Sequence, residues 1–506
     1  MSRESRRSRV RRKVGALRQR PWGLPYRRLT PIAILSADQV EAVHDAALRI
    51  LETIGVVVED AAALDALART GAVVDRVERR VRFDRGLVRA LLAKAPGRFT
   101  VTGSAPGRDL VLGDETMAFA SVAGPVHVID GDGARRDGTH ADMIEALRVI
   151  QGLNTVHLIG GAPVAPLDRP VATRHLDMVE AYLAVTDKVF HVWPRERYRV
   201  RDALDLLGAA LGLDRADVEA APRVLGTIVC DSPLRYDGPT IAGLLELAEA
   251  GQAIVAAPLA LAGGTAPASL AGALAQHDAE ALAAIALAQA VRPGTPVVYG
   301  GMAGAVDMRT AAPAFGTPDA VRATLALGQL ARRHGLPFRA GAVSSGNVVD
   351  AQAAYETEMA LWGAVLGGAH YFGHAAGWLN GGQSLSLAKM IVDAEMLQMI
   401  AEVQWPLDTA RDELGIEAMH EVGPGGHFFG AAHTLARYEN AFYAPLLSDW
   451  RNYETWREAG AEDTAARAGR LWRELAEAEP TALDPAAAEA VAALATERRH
   501  AIAASA

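Results

Sequence analysis

From about residue 113 the chain alternates between short apolar runs and longer stretches with helical spacing. The apolar runs fall at 117–121, 156–161, 188–193, 224–230, 253–259, 296–299, 338–343 and 370–376. The helical stretches that follow lie at 142–151, 176–185, 200–211, 241–250, 270–291 and 319–334, then from Asp350 and beyond Gln383. A strand, a polar loop and a helix, repeated, is the pattern of a parallel sheet with helical crossovers. Eight such units over roughly three hundred residues predict a (β/α)8 TIM barrel. The rival is an open doubly wound sheet, but no GxGxxG follows the first predicted strand.

Flanking patterns differ. Ser36-Ala-Asp-Gln39 has the form of a capping box, and Val40, Val43, Ala47, Leu48 and Leu51 then recur on one helical face. A short strand at 54–58 and helices at 61–70 and 87–95 complete a small N-terminal helical layer, 30–112, before a barrel at 113–405. Residues 406–506 read as a mostly helical C-terminal extension that opens with the glycine-rich loop Val422-Gly-Pro-Gly-Gly-His-Phe-Phe-Gly430.

Composition narrows the class. The 506 residues are half hydrophobic and 22% charged, ordinary for a soluble enzyme. The net charge of −9 gives no reason to expect nucleic acid. It conceals a basic arm at 1–29: residues 1–28 carry eleven Lys or Arg and one Glu. Lacking an apolar core, this arm is not read as a signal peptide and is expected to be a disordered or partner-docking tail. A single cysteine, Cys230, excludes an internal disulfide and suits a cytoplasmic setting. The uncharged run 252–277 is broken by Pro258, Gly263, Gly264 and Pro267, so no membrane span is expected. The long apolar helices point to a homo-oligomer.

Several motifs carry a resemblance. Gly263-Gly-Thr-Ala-Pro-Ala-Ser-Leu-Ala-Gly272, Pro293-Gly-Thr-Pro-Val-Val-Tyr299, Asp350-Ala-Gln-Ala-Ala-Tyr-Glu356, Asp393-Ala-Glu-Met-Leu397, Gly423-Pro-Gly-Gly-His-Phe428, His433-Thr-Leu435 and Leu447-Ser-Asp-Trp-Arg-Asn-Tyr-Glu-Thr-Trp456 resemble the trimethylamine methyltransferase family. The resemblance runs from about Thr30 to residue 475. It implies a barrel methyltransferase that passes a methyl group from a methylated amine to Co(I) of a corrinoid (cobalamin) carried by a separate protein, with no tightly bound cofactor of its own. Every position is a standard residue, which matches the non-pyrrolysine branch, whose members act on quaternary amines such as glycine betaine. Two other readings stay open: a non-catalytic relative that binds betaines or a corrinoid protein, and transfer to another methyl acceptor.

A quaternary ammonium has no N–H, so aromatic faces are its natural site. Trp193, Tyr299, Phe372 and Trp378 fall at or beside predicted strand ends, and Tyr355 on the following helix. A betaine's carboxylate needs donors, for which Ser345, Asn347, Gln383 and His374 are placed, together with backbone N–H groups of the Gly263–Thr265 loop. Glu356 and Glu395 are candidate counter-charges to the cation or orienters of His374, and His427, in its glycine loop, a candidate for the corrinoid face. His374, Glu356 and His427 are thus the candidate catalytic set. No metal is expected, because His370, His374, His427 and His433 match no zinc-ligand spacing.

Overall fold

The computed structural model describes residues 12–14, 17–129, 133–439, 441–478 and 483–505. Eight parallel strands close into a barrel: β1 (Ala118–Ser121), β2 (Leu158–Ile159), β3 (Val189–Val192), β4 (Leu225–Ile228), β5 (Ala253–Ala256), β6 (Val297–Gly300), β7 (Phe338–Gly341) and β8 (Tyr371–Ala376). They run in sequence order, with β8 returning to β1. The predicted count and direction therefore stand.

Three helices precede the barrel: α1 (Ala37–Thr53), α2 (Ala61–Arg69) and α3 (Arg85–Leu92). One helix follows each barrel strand: α4 (His140–Gly152), α5 (Arg174–Val185), α6 (Arg197–Leu211), α7 (Gly238–Glu249), α8 (Leu270–Val291), α9 (Pro318–His334), α10 (Ala351–Gly367) and α11 (Leu387–Val403). The Ser36 capping box opens α1 as expected, with Gln39 N donating to Ser36 Oγ at 3.2 Å and Ser36 N to Gln39 Oε1 at 2.9 Å. All three N-terminal helices pack on α8. That explains why α8 shows no polar face: every residue from Ala273 to Gln289 is buried.

The seam between this layer and the barrel is fastened by one carboxylate. Asp278 accepts from His44 Nδ1 (3.0 Å), His334 Nε2 (2.8 Å) and Tyr299 Oη (3.0 Å). Desolvation would raise its pKa, but the two imidazoles outweigh that and hold it well below the usual carboxylate range. Among the described residues Asp278, His44 and His334 are the His/acid group near enough to share a metal ion. Their facing atoms are already spent on Asp278, and His44 Nε2 and His334 Nδ1 lack the outer hydrogen bonds that metal-bound imidazoles make.

The two ends of the barrel differ. At the N-terminal ends of the strands, Trp22, Leu24 and the hairpin Phe99–Val101/Leu110–Leu112 pack against Ala118, Leu158, Val189, Leu225, Ala253 and Val298. This apolar plug closes that end. Part of the arm expected to be disordered is consequently ordered. Gln19 Nε2 donates to Gly152 O at 2.7 Å, Arg27 pairs with Glu115 at 2.9 Å, and Arg28 N donates to Gln404 Oε1 at 2.8 Å. Leu17, Trp22 and Leu24 among the arginines supply the apolar anchors that the charge count hid. Residues 1–11 lie outside the described residues.

The C-terminal extension folds back as α12 (Thr464–Ala476), which packs on α11 and α4, and α13 (Pro485–Ser505), which packs on α6 and α5. Among the described residues, no helix is long and apolar enough to cross a membrane.

Candidate active site

Strands of a parallel barrel are buried on both faces, and every second residue points to the axis. In β3, β4, β7 and β8 that phase sends His191, Thr227, Arg339 and Tyr371 into one polar layer above the plug. His191 is held from both sides, with Nδ1 3.1 Å from Thr227 Oγ1 and Nε2 3.1 Å from Tyr371 Oη. Burial, with Arg339 adding to it, pushes its imidazole down to about 3, so the ring is neutral. Tyr371 Oη as donor to Nε2, with Nδ1–H donating to Thr227, satisfies both contacts. Burial raises the Tyr371 phenol to about 12, against the pull of Arg339.

Arg339 is the outstanding group. It is only 4% exposed, and no ion pair or hydrogen bond to its guanidinium is present among the described residues; Nε is buried without a partner. Burial lowers its pKa, yet an arginine stays charged at any working pH. The fold makes specific room for it. A Cβ on Gly373 would lie 2.4 Å from Arg339 Nη2, and one on Gly300 2.6 Å from Arg339 Cβ. Gly373→Ala should thus displace the guanidinium while leaving the barrel folded. We expect KM for substrate to rise about tenfold, the worth of some 1.4 kcal/mol of binding, with unchanged circular dichroism.

One residue further, His374 has φ +57°, a conformation uncommon outside glycine. The β8–β1 register shifts between Phe372 and Ala376, a bulge at the strand's C-terminal end. The bulge re-aims His374 into the cavity instead of the wall. Its ring lies 4.5 Å from that of Trp378, and its Nδ1 has no partner. Burial, with Arg339 and His191 adding to it, holds its imidazole well below 6.5. The turn behind it is fixed by Gly377 N donating to Asp393 Oδ2 at 2.8 Å and Trp378 Nε1 to Ser344 O at 3.1 Å.

These groups floor a cavity of 590 Å³ at the C-terminal mouth, lined higher up by Trp193, Arg174, Arg195, Met302 and a run of small residues including Gly124, Gly160, Gly161 and Ala162. Arg199 covers one face of the Trp193 indole at 4.2 Å from the ring centroid. Arg195 is paired with Asp237 at 2.5 Å, and Arg174, on the wall, donates to Arg169 O at 2.8 Å. Arg174 and Arg339 are thus the lining arginines without an acidic partner among the described residues, and Arg339 is the one on the floor.

Of the residues selected from sequence, His374 and Trp193 line this cavity, and Trp378 backs His374. The others are placed elsewhere. Tyr299 and Phe372 follow the opposite strand phase and face the helices; Tyr299 joins the Asp278 fastener and Phe372 packs edge-on against Phe119 at 4.9 Å. Tyr355, Asn347, Gln383 and His427 are exposed. Glu356 is buried, but its carboxylate is committed to shaping the β7 loop, accepting from Ser345 N (2.7 Å), Gly346 N (3.0 Å) and Gln352 Nε2 (2.9 Å). Ser345 Oγ in turn donates to Pro313 O at 3.0 Å. Glu395 anchors the returning C-terminal chain, accepting from Tyr443 Oη and from Leu446 N and Leu447 N. His370 Nδ1 accepts from Phe338 N, and His433 Nε2 lies 2.9 Å from Asp412 O, so those histidines do not gather. Missed altogether were Arg339, His191, Thr227 and Tyr371.

Comparison with known proteins adds a lineage to this geometry. A glycine betaine methyltransferase of Desulfitobacterium hafniense is 36% identical over 89% of this chain and 94% of its own. The trimethylamine methyltransferase MttB of Methanosarcina thermophila is 26% identical over 86% of this chain and 90% of its own. The crystal structure of the Methanosarcina barkeri monomethylamine methyltransferase shares the fold, with a TM-score of 0.50 at 9% identity over 88% of each chain. The family model described as trimethylamine methyltransferase (MTTB) matches residues 2–503. Matched nearly end to end, the chain belongs to the trimethylamine methyltransferase family.

Proposed function

We propose that this protein takes a methyl group from a carboxylate-bearing quaternary amine, glycine betaine foremost, and delivers it to the Co(I) of a corrinoid protein. The observation that carries the reading is the buried, unpaired guanidinium of Arg339 on the cavity floor. An isolated buried cation is costly, and it persists where a ligand supplies the missing anion. A carboxylate seated there forms paired, charge-assisted hydrogen bonds. His374 is placed beside it as a further contact, and the ammonium end then lies toward Trp193 and the apolar wall.

The corrinoid supplies a strong nucleophile, and the side chains fix everything else. Arg339 holds the carboxylate, so the methyl groups are presented to the open mouth. The small residues at the rim fit the approach of a flat macrocycle from outside; beside Gly124 there is open space even where a Cβ would stand. As the C–N bond breaks, its electron pair remains on nitrogen and a neutral tertiary amine is left. No proton is needed in that step, consistent with a floor whose two histidines are both held neutral. The work of the site is alignment and exclusion of water.

The test is methyl transfer to cob(I)alamin or a cognate corrinoid protein, followed by absorbance. The substrates are glycine betaine, proline betaine, carnitine, γ-butyrobetaine, choline and trimethylamine. Turnover is expected with a betaine and not with choline or trimethylamine. Turnover of choline in preference to every betaine would refute the assignment of Arg339.

A further inference from the structure

The cavity wall holds a second arginine with no acidic partner among the described residues. Barrel helices begin at the mouth, so Arg174, the first residue of α5, stands high on that wall. A cation in the first turn opposes the helix dipole, so its charge does nothing for α5. Its Nη2 donates to Arg169 O at 2.8 Å, while its Nε is buried without a partner. Acids do lie close along the chain, but they are engaged elsewhere.

The last helix takes them. Arg499 of α13 binds Asp177 (3.1 Å) and Glu180, both on α5 itself. Arg498 donates Nε to Asp202 Oδ1 at 2.6 Å, and Asp202 Oδ2 meets His175 Nε2 at 2.8 Å. Asp202 and His175 are both buried, so the residue next to Arg174 is clamped between α6 and α13. The backbone that carries the guanidinium is therefore fixed, and the carboxylates that could quench it are spent. A held, unmatched charge on a cavity wall is what a binding group requires.

We propose that Arg174 forms a second anion subsite, and that the cavity takes betaines bearing a second acidic group, such as trimethylated dicarboxylic amino acids. This rests on the assignment of Arg339 as the anchor of the first carboxylate. Room is available. Glycine betaine, with about eight non-hydrogen atoms, fills roughly 240 Å³ even if each takes the volume of a water molecule in the liquid. That is under half of the 590 Å³ cavity. Glycine betaine also leaves one of the two unmatched guanidiniums without an anion. A second carboxylate meets Arg174 through charge-assisted hydrogen bonds. Met178, one turn further along α5, and Leu167 line the same cavity and fit the methylenes between the two acids.

Isothermal titration calorimetry on the full chain, without a corrinoid, tests this apart from turnover. The probes are the trimethylammonium betaines of aspartate and glutamate, their amide counterparts from asparagine and glutamine, and glycine betaine. Each acid matches its amide in shape and differs by one negative charge. In at least one pair the acid should bind about tenfold tighter, the worth of a hydrogen bond to a charged group. Arg174→Gln should bring that ratio close to one, and Arg174→Lys, which keeps the charge, should retain part of it. The wild-type ratio stands as a test even where a variant fails to fold. Equal binding of acid and amide in both pairs, with glycine betaine bound and weakened by Arg339→Met, overturns the second subsite alone. A preference for the acid that persists in Arg174→Gln overturns the assignment to Arg174. Glycine betaine that fails to bind, or that binds Arg339→Met as tightly as the wild type, overturns the floor anchor and this subsite with it.

Discussion

Arg339→Met will cripple methyl transfer from betaines and at the same time make the empty protein more stable. The two effects have one origin. In the wild type the guanidinium is buried with no counter-ion, a state that costs several kcal/mol of desolvation. Methionine fills similar length without charge, so resistance to urea should rise by about 1–4 kcal/mol, the range found when buried charges give way to apolar side chains. Bound carboxylate loses its partner in the variant. Truncating one side of a buried charged pair costs about 2–5 kcal/mol, so kcat/KM for glycine betaine should fall roughly 10²–10³-fold. Arg339→Lys should rescue little of this, since an ammonium cannot reproduce the planar two-pronged contact. Steady-state kinetics beside a denaturation curve reads both halves. Normal kcat/KM for glycine betaine in Arg339→Met would remove the carboxylate anchor from the scheme.

The second large effect is acid lability. His157 and His370 each use Nδ1 to accept a backbone N–H at the start of a barrel strand, from Phe119 at 2.9 Å and Phe338 at 3.0 Å. An imidazole that accepts there has to be unprotonated at that nitrogen. Burial pushes His157 and His191 to about 3, and His277 and His370 to about 4. Unfolded, each titrates near 6.5. The folded state therefore binds fewer protons, so this contribution to stability is complete above about pH 6.5 and is lost as the pH falls below it. Each group costs up to about 1.4 kcal/mol per pH unit. Four acting together remove several kcal/mol by about pH 5, a large part of the stability of an ordinary domain. The carboxyls of Glu145, Glu280, Glu358 and Asp393, all raised chiefly by burial, work in the opposite sense nearer pH 5 and soften the fall. Urea midpoints at pH 8, 7, 6 and 5 should be level at the alkaline end and drop steeply below pH 6.5. A level profile down to pH 5 would show that these rings are not held neutral.

The barrel was legible because its signal is repetition. Eight apolar runs, each followed by a helical stretch, survive an error of two or three residues at every boundary. The site was less legible because it depends on phase. In Val297–Gly300 and Tyr371–Ala376 both faces are buried, so no alternation of polar and apolar residues marks the inner one. The aromatics chosen, Tyr299 and Phe372, are neighbours of the inward residues Val298 and Tyr371. A different signal was available. Arginine and histidine are rarely buried in a central strand without purpose, and Phe338-Arg-Ala-Gly and Val189-Phe-His-Val each carry one. The bulge that turns His374 inward has no counterpart in spacing. Glu356 and Glu395 were chosen as counter-charges to the cation or orienters of His374, but both are committed largely to backbone N–H groups, a role that no sequence displays.

The plug of Trp22, Leu24 and Phe99 has a kinetic meaning. A vessel stoppered at its base fills and empties through one neck. Under the proposed function the methyl acceptor seats over that neck, so we expect substrate to load before the acceptor arrives and the demethylated amine to leave only after it lifts. Product-inhibition kinetics should accordingly show ordered turnover, with the spent amine last out and competitive against the next betaine.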